Sequence, residues 1–307
     1  MLSVVIVAFY KFVELPDYRD RKRPLRDLCQ QQQVQGSILL AAEGINGTIA
    51  GTRQGIDTIL AFLRQDVALA DLTHKESLAD FMPFTRMKVR LKREIVNLGM
   101  PDITPHKQVG QYVPSDEWNA LISDPDVLLI DTRNDFEVEL GTFKGAINPK
   151  IISFNQFPDF VGQNLDPTRH KKIAMFCTGG IRCEKATAYM LEQGFEEVYH
   201  LKDGILKYLE DTLEEDSLWQ GGCFVFDGRI TVEHQLQPVP IELCPMCHLA
   251  IQPAHRTSPK YELGVSCPNC ADDLTLERVE RARDRQKHRA QQAIQRGLPS
   301  PQDMQPS

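Results

Sequence analysis

Three short apolar runs, separated by helical patterns, constrain the fold of the middle of this chain more than any other feature. The runs are VLLID at 127–131, IAMFC at 173–177 and EVYHL at 197–201. The helical patterns lie near 115–123, 153–162, 183–193 and 203–211. Strands that are apolar throughout and alternate with helices predict a parallel sheet buried on both faces. Ligands of such sheets bind at the carboxyl ends of the strands, which is where Cys177 lies.

The first hundred residues predict a second α/β domain. Residues 3–12 and 87–96 have strand patterns, residues 17–34 and about 53–65 have helical patterns, and residues 36–51 predict two strands joined by a turn at 43–47. The order β-α-β-β-α-β is that of a ferredoxin-like domain, which we place at residues 1–96. The turn, EGINGT, is interpreted either as a glycine-dependent hairpin or as a contact with substrate.

Changes in composition indicate the remaining boundaries. Residues 97–111 contain two prolines and two glycines and are predicted to be a linker. The parallel-sheet domain then occupies 112–222, and a cysteine-rich module with a basic helix occupies 223–290. Residues 291–307, which contain three prolines, are predicted to be disordered.

Charge and hydropathy exclude several classes of partner. A formal charge of −7 over 307 residues predicts no general affinity for polyanions, so we expect no DNA partner and only a local surface for RNA. No run of 18 apolar residues exists, so a membrane is not an expected partner. The opening stretch MLSVVIVAFYKF has no preceding basic region and no cleavage site. It predicts a buried strand rather than a signal peptide, and we therefore expect a cytoplasmic protein.

The stretch MFCTGGIRCEKA, residues 175–186, predicts a reactive thiol. Cys177 and Arg182 are spaced as C-x4-R, and the residues between them are Thr178, Gly179, Gly180 and Ile181. Glycines let successive N–H groups turn inward, and a helix that begins near Arg182 adds its positive end. Because this setting favours thiolate over thiol, we expect Cys177 to be ionised, accessible and nucleophilic. The alternative is a small buried residue at the end of a strand.

A second cysteine, Cys183, falls in the first turn of the predicted helix. Two roles are open to it. It resolves an oxidised or persulfidated Cys177, or it packs and forms hydrogen bonds.

Two further pairs of cysteines predict a metal site near the C-terminus. Cys244, Cys247, Cys267 and Cys270 form the pattern C-x2-C-x19-C-x2-C. Four thiolates in this spacing are typical of structural Zn²⁺, with no open position for catalysis. Iron in a rubredoxin-like site and metal-free thiols are the alternatives.

The segment after the cysteines is basic. Residues 278–296 contain seven Lys or Arg residues and two acidic residues. The candidates for contact with RNA phosphates are Arg278, Arg281, Arg285 and Arg289. The alternative is a solvated helix face.

Three segments resemble the successive signatures of a rhodanese domain. They are LLIDTRNDFEVELGTFKGAINP at 128–149, CTGGIRCEKA at 177–186 and VYHLKDGILKYLE at 198–210. The resemblance implies a persulfide on Cys177, with Asp131 and Arg133 organising the ends of the sheet and loops and Glu137 as a further candidate. The related phosphatases have one more residue between Cys and Arg, so we do not expect phosphatase activity.

Residues 1–290 as a whole resemble the bacterial tRNA uridine hydroxylase family, on the combination of EGINGT, CTGGIRCEKA and two CPxC pairs. The resemblance implies oxygen-dependent formation of 5-hydroxyuridine at the wobble position of tRNA, with the anticodon loop as partner and molecular oxygen as co-substrate. We hypothesise that the Cys177 thiolate adds to C6 of uracil; a persulfide or sulfenic form of this cysteine is the alternative. A sulfurtransferase with its own sulfur donor and a non-catalytic tRNA-binding or persulfide-sensing adaptor are the competing functions.

Overall fold

The computed structural model describes residues 4–239, 241–251 and 253–295. The chain divides into two compact units, residues 1–239 and 240–307. The first unit contains two α/β domains, and the second contains the four clustered cysteines and the basic helix. The predicted fold class is therefore confirmed.

The N-terminal domain is a five-stranded sheet with two helices on one face. Its elements are β1 (Val4–Phe12), α1 (Tyr18–Gln31), β2 (Gln35–Ala41), β3 (Gly44–Gly51), α2 (Arg53–Arg64), β4 (Lys75–Ala79) and β5 (Met87–Leu91). The strand order is β4-β1-β3-β2-β5, and every pair is antiparallel except β2 with β5. The first four strands give the predicted ferredoxin-like order.

Two details of this domain differ from the sequence prediction. The strand that completes the ferredoxin-like pattern is β4, whose sequence KESLA has little strand propensity and gave no signal. The strand predicted to complete it is β5, which ends at Leu91 and lies at the opposite edge, parallel to β2. The β2–β3 turn consists of Ala42 and Glu43, so the glycines of EGINGT belong to β3.

The sheet of the N-terminal domain is covered on both faces, and β1 shows why. Val5, Val7 and Phe9 are buried among side chains of α1 and α2. The alternate residues point to the other face of the sheet. There the Tyr10 hydroxyl donates a hydrogen bond to Glu184 of the second domain, at 2.8 Å. The face of the sheet opposite α1 and α2 therefore packs against the second domain.

The second domain is built on a four-stranded sheet of order β6-β10-β9-β7, parallel throughout. Its elements are β6 (Gln111–Val113), α3 (Ser115–Ile122), β7 (Val127–Asp131), α4 (Asp135–Val138), β8 (Gly141–Phe143), α5 (Phe157–Asn164), β9 (Lys172–Phe176), α6 (Ile181–Glu192), β10 (Glu197–Leu201), α7 (Gly204–Asp211), β11 (Trp219–Gly221), β12 (Cys223–Phe224) and β13 (Thr231–Val232). In the central strand β9, Ile173 and Met175 belong to one buried cluster, and Ala174 and Phe176 to another. The sheet is buried on both faces, as the continuous apolar runs predicted.

The segments on either side of this domain are more closely packed than the sequence suggested. In the predicted linker 97–111, the side chains of Leu98 and Ile103 are buried against the second domain, and Gln111 begins β6. The hairpin formed by β12 and β13 lies within the first unit, and Arg229 next to it donates to the Ser77 hydroxyl at 2.8 Å. Residues 223–239 thus pack with the two α/β domains.

In the described residues of the second unit, α8 spans Pro253–Arg256 and α9 spans Leu276–Gln295. Helix α9 packs through Ala282, which is fully buried, and through Arg283, which forms a two-pronged ion pair with Glu262 at 2.8 and 2.6 Å. The helix continues through residues 291–295 of the predicted disordered tail. The remainder of that tail, 296–307, lies outside the described residues. Among the residues described, no helix is both long and apolar enough to cross a bilayer.

Candidate active site

The cysteine singled out by the sequence lies directly after β9, at the carboxyl edge of the parallel sheet. The loop is closed by α6, which begins at Ile181, and by Gly180, whose φ of +96° is readily available only to glycine. The N–H of Ile205 donates to the Cys177 carbonyl at 3.0 Å. The loop backbone is therefore held by the start of α7 as well as by its own helix.

Hydrogen-bond donors surround the sulfur of Cys177. The N–H of Gly180 donates to Sγ at 3.1 Å. Burial alone would raise the pKa of the Cys177 thiol. Hydrogen bonds from Cys183, the positive charge of Arg182 and the Gly180 N–H outweigh burial and lower that pKa to about 5. The side chain is therefore a thiolate at neutral pH.

Arg182 forms a buried ion pair instead of facing an open loop. Its two terminal nitrogens donate to the Glu137 carboxylate at 2.7 and 2.8 Å, and one also donates to the Thr178 hydroxyl at 3.2 Å. The pKa of Glu137 is lowered, because Arg182 outweighs the effect of burial. Glu137 thus holds the guanidinium beside the sulfur, and it also caps the N-terminus of α4 by accepting from the Asn134 N–H.

The environment of Cys183 differs from that of Cys177. Its sulfur lies 3.6 Å from the Thr132 hydroxyl, within the core. Burial and the neighbouring Cys177 thiolate raise the pKa of Cys183 well above its ordinary value. A thiol that stays protonated fits the hydrogen-bonding role among the two that the sequence left open.

Asp131 and Arg133 lie at the end of β7 and are both fully buried. The Arg133 guanidinium donates to the Asp131 carboxylate at 2.9 and 2.6 Å and to the Gly141 carbonyl at 2.5 Å. The Thr142 hydroxyl donates to the same carboxylate at 2.9 Å. The pair therefore joins β7 to the small strand β8.

The N-terminal domain supplies two side chains to the loop that sequence reasoning missed. Lys75 of β4 donates from Nζ to the carbonyls of Gly179 at 2.8 Å and Asp203 at 2.6 Å. The Tyr10 hydroxyl lies close enough to Gly180 that a Cβ there would approach it to 2.9 Å. No local motif marks these residues, since Lys75 and Gly179 are 104 positions apart.

The sulfur of Cys177 is enclosed in this structure, whereas the sequence predicted an accessible thiol. Cys177 has 0% exposed surface. Tyr10 and Lys75 cover one side of the loop, and the ring of Phe226 lies 6.0 Å from the Arg182 guanidinium carbon. The prediction failed because it treated the loop as the edge of an isolated domain.

Comparisons with known proteins match both domains of the first unit. A family described as UPF0176 acylphosphatase like domain matches residues 4–95, and the rhodanese-like domain family matches residues 115–211. A curated tRNA uridine(34) hydroxylase from a Picosynechococcus species is 55% identical over 291 residues, which cover 95% of this chain and 98% of that protein. The chain belongs to the tRNA uridine(34) hydroxylase family.

Two solved structures each resemble part of this family member. A rhodanese-like domain from Anabaena is 18% identical with a TM-score of 0.29, covering 36% of this chain and 78% of that one. A rhodanese-like domain protein from Staphylococcus aureus is 22% identical with a TM-score of 0.28, covering 34% of this chain and 96% of that one. At these TM-scores neither likeness bears on the fold or the activity.

The C-terminal unit of this tRNA uridine(34) hydroxylase family member brings its four cysteines together. The Sγ atoms of Cys244, Cys247, Cys267 and Cys270 all lie within 4.8 Å of one another. Three of the separations are 3.8, 3.5 and 3.8 Å. A tetrahedron with Zn–S bonds of about 2.3 Å has sulfurs about 3.8 Å apart. The residues present therefore fit a four-thiolate metal site.

Helix α9 carries the predicted basic residues. The side chains of Arg278, Arg281 and Arg285 are exposed, at spacings that put them on one stripe. Arg281 pairs with Glu277 at 2.9 Å on the surface, and Arg285 contacts the Met246 sulfur at 3.5 Å. Arg289 is in the same helix, and its side chain is outside the described part of the chain.

Proposed function

We propose that this protein hydroxylates uridine 34 of tRNA at C5 and that Cys177 is its covalent catalyst. Family membership over nearly the whole chain supports the reaction class. The observation that carries the role of Cys177 is the position of its sulfur at the carboxyl edge of the sheet, 3.1 Å from the Gly180 N–H, in surroundings that lower the pKa of the thiol. A thiolate in this position is a strong nucleophile at neutral pH.

The proposed chemistry begins with attack of the Cys177 thiolate on C6 of uracil. A C6–S bond forms, and the C5–C6 π electrons move through C5 towards the O4 carbonyl, which makes C5 electron-rich. Molecular oxygen then bonds to C5. Two electrons and two protons from a reductant outside the protein, such as a dithiol that becomes a disulfide, cleave the O–O bond, which leaves one oxygen atom on C5 and releases the other as water. Loss of the C5 proton expels the thiolate and restores the double bond, so the cysteine is unchanged after each turnover.

The surroundings of the loop support the charge-separated stage of this reaction. Negative charge grows on the base as sulfur attacks, and fixed N–H donors stabilise such charge most effectively in a dry site. Two nitrogens of the Arg182 guanidinium bind the two oxygens of the Glu137 carboxylate. The positive charge of Arg182 therefore acts on the sulfur from a fixed position. The enclosed sulfur also requires that the covering residues move apart before a base enters.

The experiment is nucleoside analysis of tRNA from cells that lack this protein and express chosen variants. We expect 5-hydroxyuridine to be restored by the wild type, to be absent with Cys177→Ser, and to return with Cys29→Ser. Cys29 is the matched control, because it is buried in α1 in the other domain. Restoration by Cys177→Ser would rule out covalent catalysis, and active enzyme that forms no adduct with 5-fluorouridine-containing tRNA would rule out attack at C6.

A second candidate function uses the same sulfur. An ionised cysteine with inward-pointing N–H groups is suited to accept a sulfane sulfur from a donor and pass it on. Thiosulfate:cyanide sulfurtransferase activity that depends on Cys177, together with unchanged 5-hydroxyuridine in the deletion strain, would favour this function. A non-catalytic adaptor would retain tRNA modification after Cys177→Ser.

We propose Zn²⁺ as the ion of the four-cysteine site. A closed set of thiolates supports a structural ion, and a bound ion would link residues 244–247 with 267–270. Elemental analysis of the purified full chain should find about one zinc per molecule, falling close to zero in Cys267→Ser and unchanged in Cys29→Ser. Iron in place of zinc, or no metal in the wild type, would contradict the assignment.

We propose that the arginine stripe of α9 contacts tRNA phosphates near the anticodon loop. Its exposed guanidiniums support such contacts in an otherwise acidic chain.

A base in a single-stranded loop is displaced from its stack at little cost, which suits an enzyme whose nucleophile lies in a buried loop. A tRNA substrate also agrees with the cytoplasmic location that we propose.

A further inference from the structure

Lys75 reaches the catalytic loop from a different domain and binds the peptide group that contacts the sulfur. Its Nζ donates to the Gly179 carbonyl at 2.8 Å and to the Asp203 carbonyl at 2.6 Å, and it lies 3.2 Å from the Asp203 carboxylate. The following N–H, that of Gly180, donates to Cys177 Sγ at 3.1 Å. The lysine and the sulfur thus bind opposite ends of one peptide group.

The planarity of the peptide makes these two contacts interdependent. The Gly179 carbonyl and the Gly180 N–H belong to one rigid plane and point in opposite directions. Holding the oxygen therefore sets the direction of the N–H. A cation on the oxygen also withdraws charge from the peptide, which makes the N–H a stronger donor.

We propose that Lys75 is a positioning residue for Cys177: by binding the Gly179 carbonyl, it aims the Gly180 N–H at the sulfur and strengthens that hydrogen bond. The N-terminal domain is then part of the active site. The catalytic consequence depends on the function proposed above for Cys177, but the effect on the sulfur itself does not.

The charge of Lys75 must be considered together with those of the other ionisable groups near the sulfur. Arg182 supplies positive charge to the sulfur from within the second domain, held in place by its two-pronged bond to Glu137. On the same helix, burial raises the pKa of Glu184 and favours its neutral form. Burial lowers the pKa of Lys75, and the charges of Asp203 and Cys177 oppose this effect without outweighing it.

Two further described residues near the sulfur, Tyr10 and Cys183, are uncharged. Burial raises the pKa of Tyr10 well above its ordinary value, so its hydroxyl stays neutral. Burial and the Cys177 thiolate likewise keep Cys183 protonated. Lys75 is thus the cation that the N-terminal domain contributes to this loop.

The experiment measures iodoacetamide labelling of Cys177 in the full chain between pH 4 and 9, quantified by mass spectrometry of the peptide that contains it. The midpoint of the pH profile reports ionisation, and the plateau rate reports access. We expect a midpoint near 5 in the wild type. In Lys75→Met it should rise by about one pH unit, so that labelling well below both midpoints falls about tenfold.

Two variants serve as controls. Lys75→Arg retains a charged donor and should keep the midpoint within a few tenths of the wild-type value. Lys92→Met removes an exposed lysine of the same domain and should leave the profile unchanged. If Lys75→Met does not fold, as judged by thermal unfolding, Lys75→Gln takes its place and is compared with Lys75→Arg.

The outcomes separate positioning from mere covering. A folded Lys75→Met protein with an unchanged midpoint overturns the proposal. If its plateau rate also rises, Lys75 only covers the sulfur. Because the labelling involves no tRNA, its outcome stands whether or not Cys177→Ser abolishes 5-hydroxyuridine, so failure of this proposal and failure of the proposed function remain distinguishable.

Discussion

Three buried cysteines show what the residues around a thiol do to it. Burial raises the pKa of Cys29 and of Cys223 to about 12 in each case. Cys177 is buried as deeply, yet its pKa is lowered to about 5. The difference comes from donors and positive charge within hydrogen-bond distance, because burial alone acts in the opposite direction. The lowered pKa of Cys177 is thus a property of this loop.

A glycine outside the loop is required for its shape. Gly204 begins α7 with φ of +73°, and a Cβ there would lie 2.6 Å from both the Cys177 carbonyl oxygen and the Gly180 nitrogen. We expect Gly204→Ala to push the loop backbone aside, to turn the Gly180 N–H away from the sulfur, and to abolish 5-hydroxyuridine formation. Nucleoside analysis and thermal unfolding of the purified variant check this expectation.

Gly194 provides the matched control for this substitution. Its φ of +87° is as unfavourable for alanine, but no atom lies within 4 Å of the added Cβ. Gly194→Ala should cost about 1–2 kcal/mol in stability and leave the modification intact. Equal modification by the two variants would show that close packing of Gly204 does not support the loop.

At the scale of elements, the first turns of α6 concentrate four different contacts. Arg182 binds Glu137, and Cys183 contacts Thr132 inside the core. The next two residues point to the N-terminal domain, where Glu184 accepts from Tyr10, and Lys185 pairs with two carboxylates. A shift of this helix would therefore disturb the sulfur and the contact between domains together.

The sequence predicted those features around the start of α6 that are set by residues close together in the chain. The apolar run, the glycines and the C-x4-R spacing all lie between 173 and 182, so the strand, the loop and the start of the helix were predictable. The roles of Lys75, Tyr10 and Gly204 were not, because each depends on backbone atoms brought close only by the fold. Strand β4 was missed as well, since its charged residues obscure the alternation.

The arginine stripe of α9 gives a prediction about RNA affinity. Replacing Arg278, Arg281 and Arg285 together by Gln should weaken tRNA binding and reduce the magnitude of the slope of log K against log salt by about 2, since each lost phosphate contact removes about 0.7 to 0.9. Filter binding from 50 to 200 mM salt measures this slope.

Arg283 is the comparison for that stripe. Arg283 is held by an ion pair with Glu262. Arg283→Gln should therefore lower the stability of the second unit and leave the salt slope of tRNA binding close to its wild-type value. A triple variant with the wild-type slope would indicate that the stripe is a solvated face.

At the scale of the whole first unit, the two domains are joined by a buried triad of charges. Lys185 has 0% exposed surface and donates to Glu43 at 2.6 Å and to Glu94 at 2.8 Å. Glu43 also accepts from the Ile95 N–H, so the EGINGT segment joins the domains. From the sequence, EGINGT is interpreted as a hairpin or as a contact with substrate. Neither interpretation includes a role in joining the two domains.

Removing the central charge of the triad should be costly. Lys185→Met leaves two carboxylates buried without a cation and should lower the free energy of unfolding by about 3–5 kcal/mol. Adding Glu43→Gln and Glu94→Gln should recover most of the loss, because no unpaired charge then remains. Lys207→Met, at a half-exposed surface pair, should change stability by less than about 1 kcal/mol. Urea unfolding measures all three, and a Lys185→Met protein as stable as the wild type would contradict the role of the triad.

The enclosure of Cys177 should protect its sulfur from oxidants. Attack by peroxide on a cysteine requires both an ionised sulfur and a path to it, and the closed structure provides only the first. The sulfur of Cys177, enclosed as it is here, should therefore react slowly with peroxide despite its low pKa. The same opening that admits a nucleotide would also admit small oxidants, so inactivation by peroxide should accelerate during turnover.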